Sequence, residues 1–393
     1  VRPGDTLQIT NHNDLPSGEL YNLHVHGMHV SPSGHADNVF VDVPSGGSFT
    51  NTYKIPDDQI PGMYWYHPHR HMFTDPQVSQ GLAGALIVLG KHDDELAAEG
   101  VRTRVMDFQQ FLVQDGKVLP AGTQTTATPQ TYVNGQLQPV VDIRPGELQR
   151  WRLANMQADA FLDIQIPPNM NAWLTSADGN PVAQPPRAYQ LLIPPGGRRT
   201  LIVQGAAAGT SVLQNVAWGT GLQAIAQQDL LTIRSSGARM RGQHRVKPDT
   251  VMPDLRGLPV ANSRTVQFSA QPNPAGGVPD FLINGMNYDQ WGSTNLAKMK
   301  LNTVEEWTLT NVTPMYHPFH IHVQPFQVIS INGVPVQGVD YRDTVPIPPQ
   351  VNGEPGTVVI RQRYTDFTGR FVIHCHILLH EDHGMMAPVQ VVK

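Results

Sequence analysis

Apolar and polar residues alternate in short stretches along almost the whole chain. Residues 48–55, 148–153, 200–203, 265–268 and 357–364 each follow a period of two, which puts alternate side chains on opposite faces of a strand. Pro and Gly clusters interrupt them about every 8–12 residues, the turn spacing of β-sandwiches and barrels. Helical patterning is confined to residues 93–99 and the stretch after His376. The longest apolar run, residues 81–90, falls well short of the about 20 residues that cross a bilayer. The pattern predicts an all-β chain without a membrane-spanning helix.

A motif recurs. Arg2-Pro3-Gly4-Asp5 opens a strand pattern that ends at Asn11, and Arg144-Pro145-Gly146-Glu147 opens one that ends at Asn155. A weaker copy runs from Asn302-Thr303 to Asn311. Copies about 150 residues apart mean tandem domains rather than a solenoid. Val133-Asn134-Gly135 and Ile283-Asn284-Gly285 precede the second and third copies, and nothing similar precedes the first. The first domain is therefore expected to begin one strand late. Boundaries are expected near residues 91–100 and within the charged, Gly-containing stretch 235–253, dividing the chain into 1–95, 96–240 and 241–393.

Composition narrows the function. Charged residues make up 15% of the 393, below the usual ~25%, while 35 Gly and 34 Pro suit a loop-rich β protein. A net charge of −5 gives no basic footprint for nucleic acid. The single cysteine rules out an intramolecular disulfide. The 17 histidines, most of them clustered, point to metal.

Four His-x-His pairs occur: His24/His26, His67/His69, His320/His322 and His374/His376. On a strand each pair aims two imidazoles the same way, so eight can converge on one site. Neutral imidazole suits copper, zinc, iron or nickel. One such pair is often accidental; four in one chain are not. Cys375 lies between His374 and His376, so its sulfur faces away from them and serves a different metal. His317 upstream and His380 and Met385 downstream complete two His, a Cys and a weak axial Met, the ligands of a blue-copper electron-transfer site. Adjacent residues thus hold two centres, and the backbone between them is the electron route.

The segments HVHG (24–27), WYHPHRH (65–71), HPFHIH (317–322) and HCHILLHEDHGMM (374–386) resemble the four copper motifs of the three-domain multicopper oxidases, which include laccases, bilirubin oxidases and cuprous oxidases. The resemblance spans essentially the whole chain. It implies three tandem cupredoxin-like Greek-key β-sandwich domains, with metal in domain three and between domains one and three. It implies four copper ions per chain: a type 1 copper on His317, Cys375, His380 and Met385; a type 2 copper on His24 and His320; and a type 3 pair on His26, His67, His69, His322, His374 and His376. Met386 competes for the axial position, but spacing favours Met385.

Dioxygen needs four electrons to become two waters, and four coppers store four. The resemblance implies Glu381 as a proton donor and Asp37 as the acid near the type 2 copper. Asp343 is expected either to orient a ligand imidazole or to pair with an Arg. His29, His35, His71 and His383 are expected to be non-ligands, and His12, His92 and His244 surface residues. Many laccases carry an Asp where this chain has Gln80, which shifts weight onto Asp37. The Met-rich insertion of some cuprous oxidases is absent, with only scattered residues such as Met240 and Met252.

The expected function is laccase-like oxidation of phenols or aromatic amines by dioxygen. The alternative within the fold is oxidation of Cu(I), Fe(II) or Mn(II). A copper carrier would not need the full ligand set, and a copper nitrite reductase lacks the four pairs. The expected setting is periplasmic or secreted and monomeric, with no nucleic-acid or membrane partner.

Overall fold

The computed structural model describes residues 1–120, 123–219, 223–240 and 251–393. The expected linker overlaps residues outside these ranges, and His244 lies outside them as well. Strands dominate, and their sheets fall in three successive groups. The first holds the antiparallel pair Thr6–His12 and Ser48–Lys54, and a sheet of His24–His26, Gly62–His67 and Gly84–Val88. The second combines a six-stranded sheet centred on Arg198–Gln204, Leu148–Asn155 and Arg102–Phe111 with a five-stranded sheet centred on Gly209–Asn215. The third packs a seven-stranded sheet around Val304–Asn311 and Gly356–Arg363 against a five-stranded sheet around Gly369–Cys375 and Met386–Val392. Separate buried apolar clusters fill the second and third groups.

The repeat has a physical basis. Leu148–Asn155 runs parallel to Arg102–Phe111, and Val304–Asn311 runs parallel to Asn262–Gln271. Trp151 and Trp307 sit at the same place in each core, and their indole N–H groups donate to Gln149 and Glu305. The Asn-Gly segments are tight turns, with φ of 51° and 72° at Asn134 and Gly135 and 50° and 75° at Asn284 and Gly285. Positive φ at both central residues is what Asn-Gly supplies most cheaply. Asn155 donates to the carbonyls of Ala160 and Ile193, and Asn311 to those of Met315 and Pro348, beyond their strands. In the first copy Asn13 makes these bonds, to the carbonyls of Glu19 and Val43, rather than Asn11. The echo there is offset by two, one strand period, so the same face is kept.

The expected helices form as Lys91–Ala98 and Leu378–Asp382. Two short ones, Thr74–Ser79 and Tyr288–Trp291, were not legible in the sequence. Too few residues are present in either for a helical period to register. Among the described residues no helix is long and apolar enough to cross a membrane. The run 81–90 supplies the strand Gly84–Val88 instead.

Candidate metal centre

Strand register brings the histidines together. His24 pairs with His67 across the first sheet, and His320 pairs with His374 across the third. His69 and His376 continue just beyond their strands. All eight rings of the four pairs are buried. His24 stacks on His322 and His26 on His320, each at 3.8 Å between centroids. The eight imidazoles thus meet where the first and third sheet groups face each other.

Five of the eight outer nitrogens are anchored. His24 Nδ1 donates to the Asp37 carboxylate at 2.9 Å, His67 Nδ1 to the Pro68 carbonyl at 2.7 Å, and His320 Nδ1 to the Asp343 carbonyl at 2.8 Å. His374 Nδ1 donates to the Cys375 carbonyl at 3.0 Å, and His26 Nε2 to Asp343 Oδ1 at 3.1 Å. A carbonyl oxygen, or the carboxylate of Asp343 paired with Arg198, can only accept, so the bonds of His26, His67, His320 and His374 fix the proton on the outer nitrogen and turn a lone pair inward. Inside, Nε2 of His24, His67 and His320 are buried without a hydrogen-bond partner. Burial lowers the proton affinity of every ring; His69 and His374 are held down to about 4, and the others also fall. The rings are neutral, the form that binds metal.

The spacing of the lone pairs fits a metal ion. Nε2 of His69, His322 and His374 stand 3.1, 3.1 and 3.3 Å from one another. Imidazole–metal bonds of about 2.0–2.1 Å give tetrahedral N···N edges of about 3.3 Å. His26 Nδ1 and His376 Nε2 face each other at 3.2 Å. Ring nitrogens this close in a dry pocket are held together by a shared proton or by a cation between them.

A second group lies on the other face of the Cys375 strand. Cys375 Sγ is 3.5 Å from His317 Nδ1 and 3.6 Å from His380 Nδ1, and the two nitrogens are 3.2 Å apart. The point equidistant from all three lies in their plane at about 2.0 Å, a metal–nitrogen bond length. Burial lowers His317 to about 3 and raises the Cys375 thiol. Cys375 is 0% exposed and His380 6%, so His380 is the edge of this group that meets solvent. Met385 is buried in the same apolar cluster as Cys375, whereas Met386 packs with Val39 and Val372. The Thr313 hydroxyl anchors His317 Nε2 at 2.7 Å, a partner no sequence signal announced.

The two acids singled out are both buried here. Asp37 also accepts the Val25 N–H, and burial raises its carboxyl to about 8. Glu381 Oε2 lies 2.9 Å from His374 Nδ1 and Oε1 3.5 Å from His69 Nδ1, with Thr74 donating to Oε1. Burial raises Glu381 to about 7. Asp343 does both things expected of it. It accepts from His26 and pairs with an arginine, but the partner is Arg198, 145 residues away; neighbouring Arg342 pairs with Asp340. Sequence reasoning missed Arg198 and also Asp382, whose carboxylate takes the N–H groups of Met72 and Asp75.

The remaining histidines bond elsewhere. His29 contacts Val323 and Asp366, His35 the Thr50 carbonyl, and His383 the Leu379 carbonyl. His71 lies 3.7 Å from Asp289. His12 is exposed and bonds Ser48, and His92 is half-buried near Glu95.

Residues 1–93 and 258–393, together more than half of the chain, match sequence profiles of the family described as multicopper oxidase. The chain belongs to the multicopper oxidase family. It is 24% identical to a laccase of Bacillus stratosphericus, over 100% of this chain and 84% of that protein. It is 26% identical to a bilirubin oxidase of Albifimbria verrucaria, over 98% and 71%. Its fold superposes on a multicopper oxidase of Campylobacter jejuni described as a metallo-oxidase, with a TM-score of 0.84, 24% identity, and 100% and 84% of the two chains covered. This oxidase is thus a copper-dependent oxidoreductase that uses dioxygen, built from three tandem cupredoxin-like β-sandwiches.

Proposed function

We propose that this oxidase takes single electrons from phenolic or aromatic donors and uses four of them to reduce dioxygen to water. His317, Cys375, His380 and axial Met385 would hold a type 1 copper, His24 and His320 a type 2 copper, and His26, His67, His69, His322, His374 and His376 a type 3 pair. When bound, the four ions supply one-electron acceptance at the first site and storage of four electrons at the second. The observation that carries the reading is the sequence His374-Cys375-His376, whose sulfur faces His317 and His380 while its flanking rings face the imidazole cluster.

The chain's own groups have distinct tasks. His380 offers an edge to solvent where a donor can approach. Residues 374–376 connect the two centres through a few covalent bonds. Glu381, with a carboxyl near neutrality, can release and regain a proton beside His69 and His374 at working pH. Asp37 anchors the Nδ1 edge of His24, which turns Nε2 inward. Burial of the cluster excludes bulk water from it.

Aromatic donors are favoured by the surroundings of the type 1 site. Tyr316, next to His317, is half-buried with Trp218 at 5.2 Å, and Phe161 stacks on Trp218 at 4.5 Å. A second reading, metal-ion oxidation, draws on exposed Asp159, which accepts the Leu379 N–H beside His380, and on partly buried Met286 and Met315. We further propose domains at 1–95, 96–240 and 241–393, a monomer, and a periplasmic or secreted setting. Oxygen uptake by the copper-loaded protein, compared across a phenol, an aromatic amine, Cu(I) and Fe(II), tests the donor class. Cys375→Ser should abolish both the intense visible absorption and the oxidation of every donor; native-rate phenol oxidation by that variant would refute the electron route.

A further inference from the structure

The middle sandwich also reaches the metal centre. The turn between its strands Gln190–Ile193 and Arg198–Gln204 presses against the cluster from a third side. Arg198 is 1% exposed. Its Nη1 and Nη2 donate to Asp343 Oδ1 and Oδ2 at 2.8 and 2.6 Å, its Nε to the Met63 carbonyl at 3.2 Å, and Nη1 also to the Gly196 carbonyl at 3.1 Å. One guanidinium therefore joins all three groups of sheets. Asp343 serves two ligand rings with two different groups: Oδ1 accepts from His26 Nε2 and the backbone carbonyl accepts from His320 Nδ1. Thr344 adds a hydroxyl donor to Oδ1 at 2.9 Å.

We propose that Arg198 is a positioning residue for the dioxygen-reducing centre, holding the Asp343 carboxylate so that His26 presents Nδ1 to metal. This rests on the copper-ligand reading given above. A guanidinium fork meets a carboxylate with two parallel N–H···O bonds, which fix the plane of the carboxylate and the direction of its lone pairs. With its plane fixed, Oδ1 receives the N–H of His26 as a third donor beside Arg198 and Thr344, and that bond settles which ring nitrogen is free. His26 Nδ1 in turn faces His376 Nε2 at 3.2 Å. Partners one step behind a ligand histidine typically change metal affinity about 10–100-fold when removed. Lysine supplies the charge but only a point donor, so it recovers part of the effect. A salt bridge that merely fastened the sandwiches would leave the affinity of the folded cluster unchanged.

The test loads the wild type, Arg198→Met and Arg198→Lys with copper and titrates each with a chelator. Copper per chain is read by elemental analysis, and the visible absorption of the Cys375 site serves as an internal reference. Arg198→Met should keep the visible absorption and release cluster copper at about 10–100-fold lower chelator concentration, with Arg198→Lys between it and the wild type. If Arg198→Met does not fold, Arg198→Lys decides by the same titration. Release at the wild-type concentration, or parallel loss of copper from both centres, would overturn the proposal. A wild type without the visible absorption would instead overturn the ligand reading beneath it.

Discussion

Gly196→Ala probes the contact between the middle sandwich and the cluster at one atom. At φ +80°, a Cβ on residue 196 would stand 2.8 Å from Cδ2 and Nε2 of His376 and 2.9 Å from Cγ. Two costs follow. An L-residue in the left-handed region costs about 1–2 kcal/mol. Restoring ordinary contact requires the ring or the turn to move about 0.6 Å, and turning a side chain some 30° from its rotamer costs about 0.5–1.5 kcal/mol. The ring has little room, because His26 lies across from it at 3.2 Å and Trp65 at 5.6 Å between centroids. The sum is about 1.5–3.5 kcal/mol, which corresponds to a fall of about 3–14 °C in the melting of a domain of 150–250 residues. The movement also exceeds the about 0.5 Å within which a working site must be held, so copper content and oxygen uptake should fall. Gly135→Ala isolates the first cost: its φ is +72° and no atom lies within 4 Å of the added methyl. Melting of the copper-free variants is followed by calorimetry, and copper is then assayed after reconstitution. Equal melting of the two variants, with wild-type copper content in Gly196→Ala, would refute the reasoning.

Three further outcomes are expected. Asp93 accepts from Arg150 at 2.6 Å and Arg152 at 2.7 Å, joining the helix Lys91–Ala98 to the strand Leu148–Asn155; Asp93→Asn strips two buried cations of their shared counter-charge and should cost about 3 kcal/mol or more in denaturant unfolding, and an unchanged midpoint would contradict this. His29 donates through both ring nitrogens, to the Val323 carbonyl and Asp366, so it is the imidazolium. Burial lowers its pKa, but the bonds to Asp366 and Val323 outweigh that and raise it above 6.5, while the bond to His29 lowers Asp366 below 3.8. The His29 contribution is whole below pH 6.5 and lost as pH rises through its folded value; that of Asp366 is whole above 3.8 and lost as pH falls through its own. With Asp366 43% exposed, the pair contributes about 1 kcal/mol or less. His29→Gln should therefore flatten the alkaline limb of stability against pH, and identical limbs would reject the assignment. Glu381→Gln keeps the shape beside His69 and His374 but removes the exchangeable proton; oxygen turnover should drop about 100-fold or more with the visible absorption retained, and native turnover would remove Glu381 from the mechanism.

The cluster explains its own demand for metal. The outer nitrogens of His67, His320 and His374 are tied to carbonyl oxygens, which can only accept, so the inner nitrogens of these rings carry lone pairs with no proton of their own. Copper loading should accordingly stabilise the fold, since a ligand bound by the native state alone lowers its free energy by mass action.

Local sequence determined the strands, the repeat and which histidines gather beside Cys375. A period of two is a property of the extended backbone, so the opposed directions of Cys375 and its flanking rings follow from three consecutive residues. The Asn-Gly turns and the equivalence of Trp151 and Trp307 are likewise written in short segments. Tertiary structure alone decided the rest. Asp343 could have paired with adjacent Arg342; the packing of the middle sandwich gave it Arg198 instead. Thr313 became the anchor of His317, and Asp382 the tie between two short helices, without a motif to announce either. The reason is physical. A metal ligand must be a particular residue type at a particular spacing, which leaves a pattern in the chain. Its supporting partner needs only a donor or acceptor delivered by any distant segment, which leaves none.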